Sequence, residues 1–390
     1  MIRRPPAPLL YELVGVGMTA YARLVHRTVV LGVDRLRLEP GVVLVSTHLS
    51  DADVPVLGGA LYGGARLWGD PTLTRPSFAV GNDLLLPGYL AGYPRGLPLA
   101  LRRALWPLGI GPVMRRWVRC LPVRHADRLR LVEALRSLPE LDLAEALPPA
   151  RVEELRRRAT RFGEPTPRVA RDVLDGRYAD LLWQDLTRAE LDGPALAGLW
   201  ENRLRASALD LRQLIRHVRG GGALILFPHG RLSPDGAIGP LDPRPARLVH
   251  LARPTAVQPV AIAHDPFGRG RPRAFVGIGE ARCAPSRRGG ARELLTALRQ
   301  TMPLACGLAV AHSLAEVNLP ARTATLTEAV ERATELARSN GRPIEPALED
   351  DITRRARVEE AVRAVRGLGV AHPSVKRAAR TYATMLEPVK

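Results

Sequence analysis

Six short apolar runs separated by helical patterns constrain this chain more than any other feature. They are Val42 to Ser46, Ser77 to Val80, Cys120 to Val123, Ala223 to Phe227, Val257 to Ile262 and Ala274 to Ile278. Continuous apolar runs of this length predict strands covered on both faces, rather than strands with one wet side. Their alternation with helices predicts an α/β fold with a central, mostly parallel or mixed sheet covered by helices. One junction is explicit. Arg203 to Val218 is an amphipathic helix that stops at Gly220-Gly221-Gly222 and delivers the chain into the Ala223 run.

The rest of the chain divides around that rhythm. Ala7 to Val33 is the longest apolar stretch, but Glu12, Arg23, His26 and Arg27 break it. It therefore falls short of the ~18 to 20 apolar residues of a membrane span. Leu10, Val14, Met18, Tyr21 and Val25 share one helical face. That predicts an amphipathic N-terminal helix over 1–30, seated on a membrane surface or on the domain's own core. Residues 31–285 form the main domain, with a charged, mostly helical insertion over 125–201. Leu84 to Trp106, rich in Pro, Gly and Leu, reads as a loop or flap. Residues 286–390 read as a helical extension. Within it Thr325-x-x-Glu328 is a capping-box pattern, Asn340-Gly341 before Pro343 a stop, and Arg354 to Arg366 a charged helix.

Charge narrows the partners. Lys+Arg number 57 against 39 Asp+Glu, a net +18, and Lys376 and Lys390 are the only lysines. Such an arginine bias, with abundant Ala, Gly, Pro and Leu, can follow from codon composition alone; a selected basic surface instead favours phosphates, as in nucleotide cofactors, anionic lipid or nucleic acid. Aromatics are only 4% and no basic stretch is interleaved with them, so the stacking platforms of a single-strand nucleic-acid binder are missing. The cysteines, Cys120, Cys283 and Cys306, form no CxxC pair, which argues against a zinc ribbon or disulfide framework. Behind the basic start MIRRPPAP no small-residue cleavage site follows a clean apolar core, so no signal peptide is expected, and the scattered cysteines fit a reducing cytosol.

Three motifs carry chemistry. The first run opens directly into Thr47-His48-Leu49-Ser50-Asp51-Ala52-Asp53. A histidine at the carboxyl end of such a strand stands where α/β sheets place ligands. Asp53, five residues on, can accept the Nδ1 proton of His48, fix its tautomer and leave Nε2 as a base; the bland alternative is a helix-capping aspartate beside an incidental histidine. The second motif, Phe227-Pro228-His229-Gly230-Arg231 with Ser233, follows the Ala223 run and offers backbone N–H groups and a guanidinium to an anion, or simply a turn. The third is Pro259 inside a buried strand, where the missing N–H demands an edge, a bulge or a pocket wall. His48, Asp51, Asp53 and His229 could also be read as a metal-dependent hydrolase, which needs the two loops to converge.

Taken in order, these motifs resemble the four sequence blocks of the glycerolipid acyltransferases, the lysophosphatidic acid and glycerol-3-phosphate acyltransferases among them. His48-x4-Asp53 matches the first block. Pro107 to Pro112 followed by Leu121-Pro122-Val123-Arg124 matches the second, with Phe78 to Leu84 resembling its approach. Phe227, Pro228 and Gly230 match the third, and Val257 to Val260 the fourth. The likeness spans about Leu31 to Glu280. It departs at His229, where the family has glutamate, and at Arg231-Leu232, where it has Thr-Arg. The second block lacks its aspartate, and the spacer before the third block is long.

The resemblance implies an acyltransferase domain over 31–285. It implies transfer of an acyl group from acyl-CoA or acyl carrier protein, as co-substrate, to a hydroxyl of a glycerolipid or related lipid, in phospholipid biosynthesis. His48 would be the general base and Asp53 its orienter. Arg124, His229, Gly230, Arg231 and Pro259 would bind substrate. No metal or resident cofactor is expected, and no nucleic acid. The chain would sit peripherally on the cytoplasmic face of the cell membrane. The altered third block leaves a second reading, a non-catalytic member of the same fold that binds acyl-CoA or lipid.

Overall fold

The computed structural model describes residues 9–50, 52–64, 73–80, 100, 111–174, 176–182, 184–187, 194–229, 233, 235–319 and 322–387. Among the described residues nine strands form in chain order: β1 (Arg27–Leu31), β2 (Val43–Ser46), β3 (Ser77–Val80), β4 (Cys120–Pro122), β5 (Arg128–Arg130), β6 (Asp185–Thr187), β7 (Leu224–Leu226), β8 (Val257–Asp265) and β9 (Arg273–Ile278). Seven make one sheet in the order β1-β9-β8-β2-β7-β3-β4. Strand β2 runs parallel to both β7 and β8, β3 parallel to β7, and β1 parallel to β9; β8 and β9 are antiparallel. This is a mixed, mostly parallel sheet in an α/β fold. Val42 to Val45 are fully buried, as strands covered on both faces require.

All six sequence-derived strands form in this sheet, where β1 is a seventh, and β5 and β6 add a separate two-stranded pair. The stretch from Ala7 to Val33 is not one helix. It is a helix, Leu9–Val25, then His26 and strand β1. Thr28-Val29-Val30 are β-branched and suit a pleated strand better than a helix. The N-terminal helix packs closely on the helix Asp53–Gly59. A Cβ added at Gly58 would meet Met18 and one at Gly59 would meet Ala22, so these glycines let two backbones approach. At the expected stop, Gly221 has φ +80° and Gly222 N–H donates to His217 O, closing the helix Pro194–Arg219.

The chain clusters into two compact units, Met1–Phe78 with Leu214–Lys390, and Ala79–Gln213. The second has its own core, built on Leu131, Leu135, Leu155, Leu182 and Leu186, beside the antiparallel β5–β6 pair. The 125–201 stretch falls within it. In the first unit the C-terminal segment is helical. The helix Cys306–Ala315 is apolar on nearly all sides and buried against Asp351–Leu368 and Pro373–Leu386. Thr325 lies inside the helix Thr323–Ser339, whose N-cap is Arg322, so the Thr325–Glu328 pattern is not the cap. An ion cluster anchors this segment to the sheet. The Arg357 guanidinium donates to Asp265 on β8, to Glu345 Oε1 at 2.9 Å and to Phe267 O at 2.6 Å, all buried.

Candidate active site

The carboxyl ends of β2 and β7 and the far half of β8 lie side by side. Val45 pairs with Leu226 and with Pro259, and Ser46 with Val260. Residues just past β2 and β7 therefore meet residues near the end of β8, where sheets of this class hold ligands. Thr47 stitches the place together: its N–H donates to Val260 O at 3.2 Å, and its Oγ1 accepts from Ile262 N–H at 2.9 Å.

Asp53 begins the helix Asp53–Gly59 and is completely buried. Its Oδ2 accepts from the N–H groups of Leu49 at 2.5 Å and Ser50 at 2.8 Å, and lies 3.4 Å from His48 Nδ1. Burial alone would push this carboxyl up. Hydrogen bonds from His264, His48 and the Ser50 amide outweigh it and hold the group below its ordinary range. Asp53 is thus ionised and can only accept. His48 must then present Nδ1–H to it, which leaves the Nε2 lone pair free. His48 keeps 24% side-chain exposure, enough to reach a substrate. Its ring stacks obliquely on Phe227, with centroids 4.9 Å apart.

A second histidine completes the carboxylate. His264 Nε2 donates to Asp53 Oδ1 at 2.6 Å. Beyond it the His26 ring stands edge-on, with centroids 5.8 Å apart. Burial, with His264 adding to it and Asp53 opposing, holds His26 below its ordinary range, so this outermost imidazole is neutral. No reading of the sequence singles out His264. The expected strand ends at Ile262, whereas β8 continues through Asp265. Ala263-His264-Asp265-Pro266 looks like a turn in isolation, and the 211 residues between His264 and Asp53 hide their pairing.

His229 follows β7 and joins the same group. Burial, then the neighbouring His48, brings its imidazole down to about 4, with Asp53 opposing. Both ring nitrogens are buried without a hydrogen-bond partner among the described residues. The loop is tied to the first motif by Ser233 N–H donating to His48 O at 3.2 Å. The C-terminal helix clamps both loops. Arg377 Nη2 donates to Leu49 O, and Thr381 Oγ1 donates to Gly236 O at 2.8 Å.

The other expected site residues are distributed differently. Pro259 sits in central strand β8, facing the point where its ladder with β9 lapses. Gly279 N–H donates to Pro259 O at 3.0 Å. Gly279 O, which the proline cannot serve, accepts instead from Gln258 Nε2 at 2.6 Å. Pro259 also walls a cavity of about 460 Å³ with Val45, Val257, Cys283, Leu294 and Leu298. Arg124 belongs to the second unit, where its guanidinium grips Asp210 bidentately at 2.8 and 2.7 Å. Gly230 and Arg231 lie outside the described residues, as do Asp51 and Pro107 to Ile110. Among the described residues no His, Cys, Asp and Glu group is arranged to hold a metal ion.

No family model and no curated protein matches the chain. Among solved structures, the crystal structure of the 1-acyl-sn-glycerophosphate (LPA) acyltransferase PlsC from Thermotoga maritima is similar at 14% identity. The match covers 75% of this chain and 78% of that one, with a TM-score of 0.38.

Proposed function

We propose that the chain is an O-acyltransferase that moves an acyl group from a thioester, acyl-CoA or acyl carrier protein, to a hydroxyl of a glycerolipid-like acceptor. The observation that carries this reading is the buried, ionised Asp53 holding His48 with Nε2 free at the carboxyl end of β2. That pair is a general base awaiting a weakly acidic proton. The acceptor hydroxyl gives its proton to His48 Nε2 as its oxygen attacks the thioester carbonyl. The tetrahedral adduct then collapses, the C–S bond breaks, and the imidazolium protonates the departing thiolate. Asp53 stabilises the imidazolium throughout. No enzyme nucleophile is required, because holding alcohol and thioester together makes the step effectively unimolecular.

The N-terminal helix supports work at a membrane surface. Tyr11, Gly15 and Ala22 face inward. Leu9, Leu13, Val16 and Leu24 form an outward stripe and are 75%, 55%, 41% and 72% exposed. Arg23 and Arg27 flank it, and Arg271 donates to the carbonyls of Arg23 and Leu24. An apolar stripe beside arginines fits the plane of an anionic lipid interface. Among the described residues no helix is long and apolar enough to cross a membrane.

The test is a transfer assay with labelled acyl-CoA against lysophospholipids, glycerol 3-phosphate and glycolipid alcohols. Acylation of one acceptor class that requires His48 supports the reading. Tight acyl-CoA binding with no transfer to any acceptor supports the non-catalytic alternative.

A further inference from the structure

We infer that His264 is a positioning residue that sets the orientation of Asp53 and, through it, the tautomer of His48. A carboxylate is free to rotate about its broad terminal torsion, so something must choose which oxygen faces which partner. Here the two oxygens have separate duties. Oδ2 is shared by the Leu49 and Ser50 amides and His48 Nδ1. Oδ1 has His264 Nε2 at 2.6 Å as its partner among the described residues, in a group with no solvent exposure. A buried oxygen with one donor cannot turn away from it without losing its only hydrogen bond.

The His264 ring is itself held in place. It rides on β8, the strand locked to β2 through Thr47 and to β9 through the ladder from Val260 to Asp265. The next residue, Asp265, points into the Arg357 cluster, so the backbone at His264 is fixed from both sides of the strand. Donors behind a reacting group orient it in this way, and their loss commonly costs 10-fold to 100-fold. His264 therefore acts through Asp53 rather than on the substrate.

Two arms separate this inference from the acyl-transfer reading, on which only the kinetic arm rests. The first uses no substrate. In full-length protein labelled with ¹⁵N-histidine, the His48 signals are assigned by their loss in His48→Ala, and the tautomer is read at fixed pH. Wild type should hold His48 mainly as the Nδ1–H form. His264→Ala should lower that fraction to below about half, and His264→Gln, which places an amide N–H where Nε2 was, should restore it. The second arm is turnover. His264→Ala should lower kcat about 10-fold to 30-fold at unchanged KM. His264→Gln should stay within about threefold of wild type. An unmoved His48 tautomer in folded His264→Ala overturns the inference, as does a folded His264→Gln that behaves like the alanine variant. If His264→Ala does not fold, His264→Phe, which fills the ring's volume but carries no donor, takes its place under the same criteria. Wild-type transfer in His48→Ala would instead overturn the acyl-transfer reading, and the tautomer arm would still decide this one.

Discussion

Asp53 lies closer to His264 than to His48: its Oδ1 is 2.6 Å from His264 Nε2, whereas its Oδ2 is 3.4 Å from His48 Nδ1. The short contact anchors the carboxylate. The long one is a resting distance that can tighten when the imidazole gains charge, as catalytic hydrogen bonds do on substrate binding. On the proposed reading, the site is stiff on the side turned from the substrate and looser where the proton would move.

His48→Ala should lower acyl transfer by roughly 10² to 10⁴ while leaving the melting temperature near that of wild type, since His48 is part-exposed and Asp53 keeps the Leu49, Ser50 and His264 donors. Asp53→Asn should fall in a similar range, because an amide no longer forces Nδ1–H on His48. Rates within about threefold of wild type in the His48 variant would rule out general-base chemistry at this residue.

His229 predicts a pH dependence of stability. Its imidazole is held down at about 4, largely by burial, while an unfolded chain's histidine titrates at about 6.5. As pH falls from about 6.5 toward 4, the unfolded state takes up a proton that the folded state refuses, so stability drops through that window and is flat above it. At pH 5 the loss is about 2 kcal/mol. Denaturant unfolding of wild type and His229→Gln at pH 7.5 and 5.0 checks this. The glutamine variant should lose about 2 kcal/mol less than wild type between the two, and equal losses would refute it.

The outward stripe of the N-terminal helix predicts vesicle binding. Replacing exposed Leu9, Leu13 and Leu24 together by Asp should abolish flotation with anionic vesicles without lowering the melting temperature, because none of the three is buried. Raising salt should weaken wild-type flotation by screening the arginines. Undiminished flotation of the triple variant would assign that face no lipid role.

Arg357 predicts the largest stability effect. Arg357→Leu leaves Asp265 and Glu345 buried without their cation, and a loss of roughly 3 to 5 kcal/mol is expected. Burial already pushes the Glu345 carboxyl above its ordinary range, with Arg357 opposing and Asp265 adding to the rise. Adding Glu345→Gln to Arg357→Leu should therefore recover part of the loss. Chemical denaturation of the single and double variants reads this directly, and a single variant as stable as wild type would contradict it.

What is local in this protein was legible in its sequence. Buried strands announce themselves as apolar runs, the triple glycine ends a helix because left-handed backbone favours glycine, and His48 and Asp53 lie five residues apart across one strand-to-helix turn. Each depends on neighbours along the chain. The boundary errors are also local: a β-branched run after Val25 competes with helix, and β8 outlasts its apolar stretch because pairing with β9 carries it on to Asp265. What surrounds the His48–Asp53 pair was decided only by tertiary structure. His264 reaches Asp53 across 211 residues, Arg377 reaches Leu49 across 328, and Arg357 reaches Asp265 across 92. A lone histidine or arginine carries no mark in sequence of the carboxylate or carbonyl it will meet. Those partners are chosen when parallel strands bring distant segments into register and burial leaves each charged or polar group only the neighbours the fold supplies.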